Sequence, residues 1–342
     1  MSPETGCPTP VQPEDVTANG HVEIRTGLHG SRDGDLKGCV EQRRMQLIGS
    51  GFGSKIHRQL NRAPRFVLTQ AKLYDTAQTW TELKQVAEFF QGREIDGKKV
   101  YGAAIFTERG SEGITMGVTS ALYPWGFKYQ DPANPYHMEG FVNSPGAVAG
   151  LEFYKQLYKC CTPPGYTNSY MQEGLDAFKS GQVAMMMNWF AFFPGLYKDP
   201  NVGGDRIGFF VNPKQNVEGS TLGGQGISVV AYSDKQDEAL KYIKWFAQPE
   251  VQKKWWSLGG YSCHKAVLLD PNFAKSAPFA ADFLKAMSNV QDFWQEPAYA
   301  ELLLAMQKRV HDYVVADQGT AKEALDKLIK DWTEVFQDEG RI

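Results

Sequence analysis

The sequence predicts an α/β protein long enough for two lobes. Three observations carry that reading. From Thr79 onward, apolar stripes of helical period alternate with short apolar runs of strand length, the pattern of strands joined by helical connections. The stretch Leu222-Gly223-Gly224-Gln225-Gly226-Ile227-Ser228-Val229-Val230 sends a glycine cluster into an apolar run that reads as a strand, and a helical pattern over 235–257 follows. The chain has 342 residues, 42% of them hydrophobic, with 8 Trp, 15 Tyr and 20 Phe, so it can bury a sizeable core.

Each element has a local justification. Thr79 is a good N-cap, with Glu82 at the capping-box position and Trp80, Leu83, Val86, Ala87 and Phe90 on one helical face. Residues 100–106 read as a buried strand. Residues 114–122 read as a helix that Gly126 ends beside Trp125. Ser144-Pro145 opens the next helix, proline being suited to the first helical position. A short helix over 173–178, a strand over 183–187 and a strand over 206–211 follow. The helix over 235–257 buries Ala239, Ile243, Phe246 and Ala247 as one stripe. The last helix, 320–336, buries Ala321, Ala324, Leu325, Leu328, Trp332 and Val335.

Composition excludes several classes. A formal net charge of -3 offers no basic surface for nucleic acid. No apolar run is long enough to span a membrane. There is no Gly-x-Ser-x-Gly, His-Glu-x-x-His or Walker loop, and His21, His29, His57, His137, His264 and His311 lack metal-ligand spacing. The five cysteines, Cys7, Cys39, Cys160, Cys161 and Cys263, form no Cys-x-x-Cys. Cys160 and Cys161 are adjacent and read as free buried thiols; a link from Cys263 to either is the alternative. Residues 1–70 differ from the rest, holding no tryptophan and seven of the twelve arginines. Residues 1–37 read as weakly ordered, and residues 1–15 are Pro-rich and acidic, with no visible signal peptide.

Four segments in order carry a resemblance. They are Gln78-Thr79-Trp80-Thr81-Glu82-Leu83, Phe141-Val142-Asn143-Ser144-Pro145-Gly146-Ala147-Val148, Ala177-Phe178-Lys179-Ser180-Gly181-Gln182-Val183-Ala184-Met185, and the run from Gly223-Gly224 through Pro249-Glu250-Val251-Gln252 to Gly259-Gly260-Tyr261. Together they resemble the extracellular solute-binding proteins of bacterial ABC importers, in the sugar-binding family (family 1). The resemblance implies a two-lobe, type II periplasmic-binding-protein-like fold with an incomplete N-terminal lobe. It implies an atypical segment over 1–71, a remnant of the first lobe or disordered. A C-terminal lobe over 72–215, a return segment to the N-terminal lobe over 216–269 and C-terminal lobe helices over 270–342 complete it. It further implies a monomer that captures a sugar or polyol between its lobes, a permease partner, periplasmic or extracytoplasmic placement and no reaction.

Sugar recognition needs flat rings for C–H faces and polar groups for hydroxyls. Trp189 and Asn188 at the end of a strand, Trp125 at the end of a helix, and Tyr261 after Gly259-Gly260 are candidates for contact, each with a core or turn reading beside it. Gly223, Gly224 and Gln225 offer backbone N–H groups and an amide, or simply a tight turn. His264 is a hydroxyl donor or a turn cap, and Arg109 and Glu112 flank Gly110 as a hydroxyl clamp or a solvated pair. One alternative is of another class. Met45-Gln46-Leu47-Ile48-Gly49-Ser50-Gly51-Phe52-Gly53-Ser54 is similar to the strand and glycine turn of NAD(P)-dependent sugar oxidoreductases, with Asp75 for a ribose. A third is a degenerate solute-binding protein that no longer binds.

Overall fold

The computed structural model describes residues 48–54, 79–95, 97–110, 112–202, 207–224 and 226–342, the first stretch as backbone. It divides into two compact units. One holds Gly224–Phe273, and the other holds Gly49–Gly223 and Ala274–Ile342. The expectations for 1–47 and for Asp75 lie outside the described residues.

The larger unit is a sheet covered by helices. Its strands are β1 (Ile48–Ser54), β2 (Arg93–Ile95), β3 (Lys98–Ala104), β4 (Val183–Trp189), β5 (Gly208–Val211), β6 (Ser220–Gly223) and β7 (Val290–Gln291). They lie in the order β2-β3-β4-β1-β6-β7, and β5 also pairs with β1. β3 and β4 run parallel with Ala103 opposite Met185. All seven residues of β4 are buried, as a continuous apolar run buried on both faces should be.

Helix α1 (Trp80–Phe90) buries Trp80, Leu83, Val86, Ala87 and Phe90. Its capping box is formed: Thr79 Oγ1 accepts from the Glu82 amide at 3.2 Å, and Glu82 Oε2 accepts from the Thr79 amide at 3.1 Å. Helix α2 (Gly113–Leu122) carries no charge and is buried on every side. The chain leaves it through Gly126, at φ 93°, where a Cβ would be strained. Helix α3 (Pro145–Cys161) starts with Ser144 Oγ accepting from the Ala147 amide at 3.2 Å. Helix α4 (Met171–Ser180) precedes β4, and α5 (Phe193–Lys198) follows it.

Later in the chain come α6 (Gln236–Phe246), α7 (Pro249–Ser257), the short α8 (Lys265–Leu268), α9 (Ala280–Met287), α10 (Tyr299–Val314) and α11 (Ala321–Asp338). Trp332 of α11 is buried and its Nε1 donates to the Leu302 carbonyl at 2.8 Å. Phe336, rather than the half-buried Val335, closes the stripe of α11. Among the described residues no helix is long and apolar enough to cross a membrane.

Several expectations are corrected. The single helix over 235–257 is two helices, because Pro249 cannot continue α6 and holds Gln248 extended at ψ 141°. Its stripe is not buried: Ala239, Ile243 and Phe246 are half-exposed and Ala247 is exposed. The strand lies before the glycine cluster, as β6, instead of over 227–230, where Val229 alone makes a bridge. Cys160 and Cys161, in the last turn of α3 where the chain leaves the helix at Thr162, are joined as a disulfide rather than free; Cys263 is the free thiol among the described cysteines. The glycine turn expected at Gly49–Gly53 is the strand β1. Gly51 pairs with Asn188 of β4 and with Val211 of β5, so backbone groups that a phosphate would need are held in ladders.

Candidate ligand-binding site

In the larger unit the site is built where β3 and β4 end. Past Ala104 the chain runs through buried Ile105, Phe106 and Thr107 into a loop that reaches α2 at Gly113. Two amides of this loop, on Thr107 and Glu108, donate to the Ser169 carbonyl at 2.8 and 3.0 Å. In return the Ser169 amide donates to Thr107 Oγ1 at 2.9 Å. The loop is thereby stapled to the segment that opens α4. Tyr170 caps that helix, its amide donating to Glu173 Oε2 at 3.0 Å.

Three rings stand together there. Phe106 lies 4.9 Å from Tyr170, edge to face, and 6.5 Å from Trp189. Burial pushes the Tyr170 phenol up to about 12; a hydrogen bond from the Trp189 side chain opposes this, and the charges of Glu112 and Glu108 add to it. The Glu112 carboxyl is raised by burial. That of Glu108 is raised by burial and then by the charge of Glu173. Tyr299, at the start of α10, is raised first by burial, then by the charges of Tyr129, Glu112, Asp292 and Tyr170, which places it within electrostatic reach of the same group. Phenols, an indole and carboxylates thus converge. Such a surface can hold rings and hydroxyls.

The expected residues distribute unevenly. Trp189 closes β4 and is 5% exposed, so its ring backs the surface more than it forms it. Asn188 is fully buried with both ends of its amide committed: Nδ2 donates to the Met171 carbonyl at 3.0 Å and Oδ1 accepts from the Trp189 amide at 2.9 Å. Its side chain ties β4 to α4. Trp125 packs in the core, 4.8 Å from Phe153 and 6.4 Å from Trp80. The exposed guanidinium of Arg109 lies 4.0 Å from Asp312 on α10. Gly223 is buried as the last residue of β6, Gly224 is exposed and belongs to the smaller unit, and Gln225 lies outside the described residues.

In the smaller unit, Tyr261 packs edge-on to Trp256 at 5.5 Å, and burial raises its phenol. Its carbonyl accepts from Trp255 Nε1 at 3.1 Å. His264 caps α8, its Nδ1 accepting from the Ala266 amide at 3.1 Å, which leaves Nε2 as the protonated nitrogen.

Tyr170, Glu108 and Tyr299 were not expected from the sequence. A readable signal existed for Tyr170 alone, in Glu173 three residues ahead of it as the reciprocal cap of α4. Among the described residues no group of His, Cys, Asp or Glu is placed to hold a metal ion.

The fold is that of an α/β protein whose strand ends gather rings and carboxylates. Residues 65–281 match the family of bacterial extracellular solute-binding proteins, and the chain belongs to that family. A "Probable ABC transporter-binding protein" of Deinococcus radiodurans is 26% identical over 216 residues, 62% of this chain and 50% of that protein. The match thus spans about half the length of this curated relative. Maltose-bound MalE3 of T. maritima superposes with a TM-score of 0.69 at 22% identity, over 84% of this chain and 71% of that one. A solute-binding protein of Agrobacterium radiobacter K84 in complex with ribitol gives 0.67 at 22% identity, over 85% and 70%. One from Agrobacterium vitis S4 with D-mannitol gives 0.67 at 18%, over 86% and 72%. These likenesses establish the two-lobe α/β fold of sugar- and polyol-binding proteins.

Proposed function

We propose that this chain is the substrate-binding subunit of a carbohydrate ABC importer, capturing a sugar or polyol outside the cytoplasm and presenting it to a membrane permease without transforming it. The observation that carries the reading is the convergence of Tyr170, Trp189, Glu108 and Glu112 where β3 and β4 end. Rings there suit the C–H faces of a pyranose or polyol, and carboxylates accept from its hydroxyls. Membership of the solute-binding family and the sugars and polyols named for the structural relatives support the class of ligand.

On this reading Tyr170 and Glu112 contact the ligand directly, and Trp189 supports them from behind. Gly224, Gln225, Tyr261 and His264 are the residues proposed for the smaller unit. The test is a thermal-shift screen with maltose, ribitol, D-mannitol, other mono- and disaccharides, and NAD(P). A ligand at 100 times its dissociation constant stabilises the fold by about 2.7 kcal/mol, a shift that a melt resolves. A saccharide response that Glu112→Gln and Tyr170→Ala each abolish supports the reading. A response to NAD(P) alone, or none from a folded sample, overturns it.

A further inference from the structure

We propose that Tyr154 is a positioning residue for ligand binding, holding from behind the peptide of Phe106 on which the aromatic wall of the site is set. The inference rests on the ligand-binding reading above and assigns a role to a residue remote from the surface. Tyr154 is on α3 and fully buried. Its hydroxyl donates to the Phe106 carbonyl at 2.7 Å. Phe106 lies two residues past the end of β3, where the strand ladder no longer holds the chain. Everything described for the wall hangs on that peptide: the Phe106 ring supports Tyr170 and Trp189, and the next two amides reach Ser169.

The phenol reaches this carbonyl only because α2 carries glycine at 117. A Cβ there would stand 2.0 Å from the Tyr154 oxygen and 2.9 Å from its Cζ. Glycine is less favourable than alanine inside a helix, so its presence in the fully buried α2 is matched by this close approach. Burial raises the phenol well above its ordinary value, so it remains a donor across the physiological range.

Tyr154→Phe removes the one oxygen. The expected result is a folded protein in which amide exchange over 105–112 speeds at least ten-fold while α10 and α11 keep their protection. Calorimetric titration with maltose, ribitol and D-mannitol then gives a dissociation constant raised at least ten-fold for whichever of them the unaltered chain binds. Trp332→Phe is the control, since it deletes a comparable buried hydrogen bond that does not involve the Phe106 peptide. It is expected to lower the melting temperature without changing affinity.

Gly117→Ala supplies a second, independent reading. Its penalty is expected to shrink in the Tyr154→Phe background, because the atom struck at 2.0 Å is gone; additive penalties would count against the contact. Unchanged exchange over 105–112 overturns the proposal. So does faster exchange with unchanged affinity, which leaves the ligand-binding reading standing. If the unaltered chain binds none of the three probes, the ligand-binding reading fails for them and the positioning role fails with it.

Discussion

Gly102 of β3 approaches α1 so closely that a Cβ placed on it would stand 2.3 Å from the carbonyl oxygen of Ala87. The same glycine donates its amide to Gln91 Oε1 at 2.9 Å, so strand and helix are joined at van der Waals limits and by a hydrogen bond. Gly102→Ala is expected to force the two apart at a cost of about 1–3 kcal/mol or more. Urea denaturation measures it; an unchanged midpoint would show that the approach is looser than described.

The cap of α1 is a smaller, local term. Thr79→Ala removes the acceptor for the Glu82 amide and should cost about 1 kcal/mol. Thr79→Ser keeps the oxygen and should cost much less. Equal melting temperatures for the two variants would deny the cap its role.

Asp317 gives a prediction in pH. Its carboxyl is lowered to about 2, first by its hydrogen bond with Lys155 and then by that with Lys159. A carboxylate with a depressed folded value contributes stability above its unfolded value, near 3.8, and loses it as pH falls toward 2. Asp317 sits at φ 59°, a conformation asparagine tolerates, so Asp317→Asn removes charge with little backbone cost. The variant is expected to melt slightly below the unaltered chain at pH 7. The gap should close between about pH 4 and 2 and narrow in high salt. A gap independent of pH would assign the effect to something other than the ion pair.

Glu112 predicts the opposite sign. Burial raises its carboxyl, so the ionised form costs stability at neutral pH, and that cost fades as pH falls through the folded value. Glu112→Gln is expected to melt above the unaltered chain at pH 7, with the advantage gone in acid, while binding saccharide more weakly. A variant less stable at pH 7 would indicate that the carboxylate is paired in the fold.

What the sequence disclosed follows the range of the interactions concerned. The Thr79 and Ser144 caps and the left-handed Gly126 were legible because their chemistry closes within four residues. The break at Pro249 was equally local: the stripe of Ala239, Ile243, Phe246 and Ala247 ends before it, and only the expected bounds of one helix ran past it. The nature of Gly49–Gly53 could not be read locally, because a glycine turn and a glycine-rich strand share a sequence and differ in the partners, β4 and β5, that lie more than a hundred residues away. At the site, Trp189 was rightly placed at a strand end. That its side chain hydrogen-bonds Tyr170 depends on α4 packing against β4, which no spacing within either segment reveals.

The larger unit is written in two parts, with Gly224–Phe273 between them. Asn143 Nδ2 donates at 2.7 Å to Asp326, 183 positions later, and the Tyr129 ring lies 6.0 Å from Trp332. During synthesis, then, the early half of this unit must wait, with the apolar seats for α10 and α11 open, until α11 leaves the ribosome. Such late, long-range closure makes for slow folding. Loss of the segment that carries Trp332 and Phe336 would therefore act on the whole unit: Tyr129 and Tyr136, laid down two hundred residues earlier, would each lose a ring they pack against.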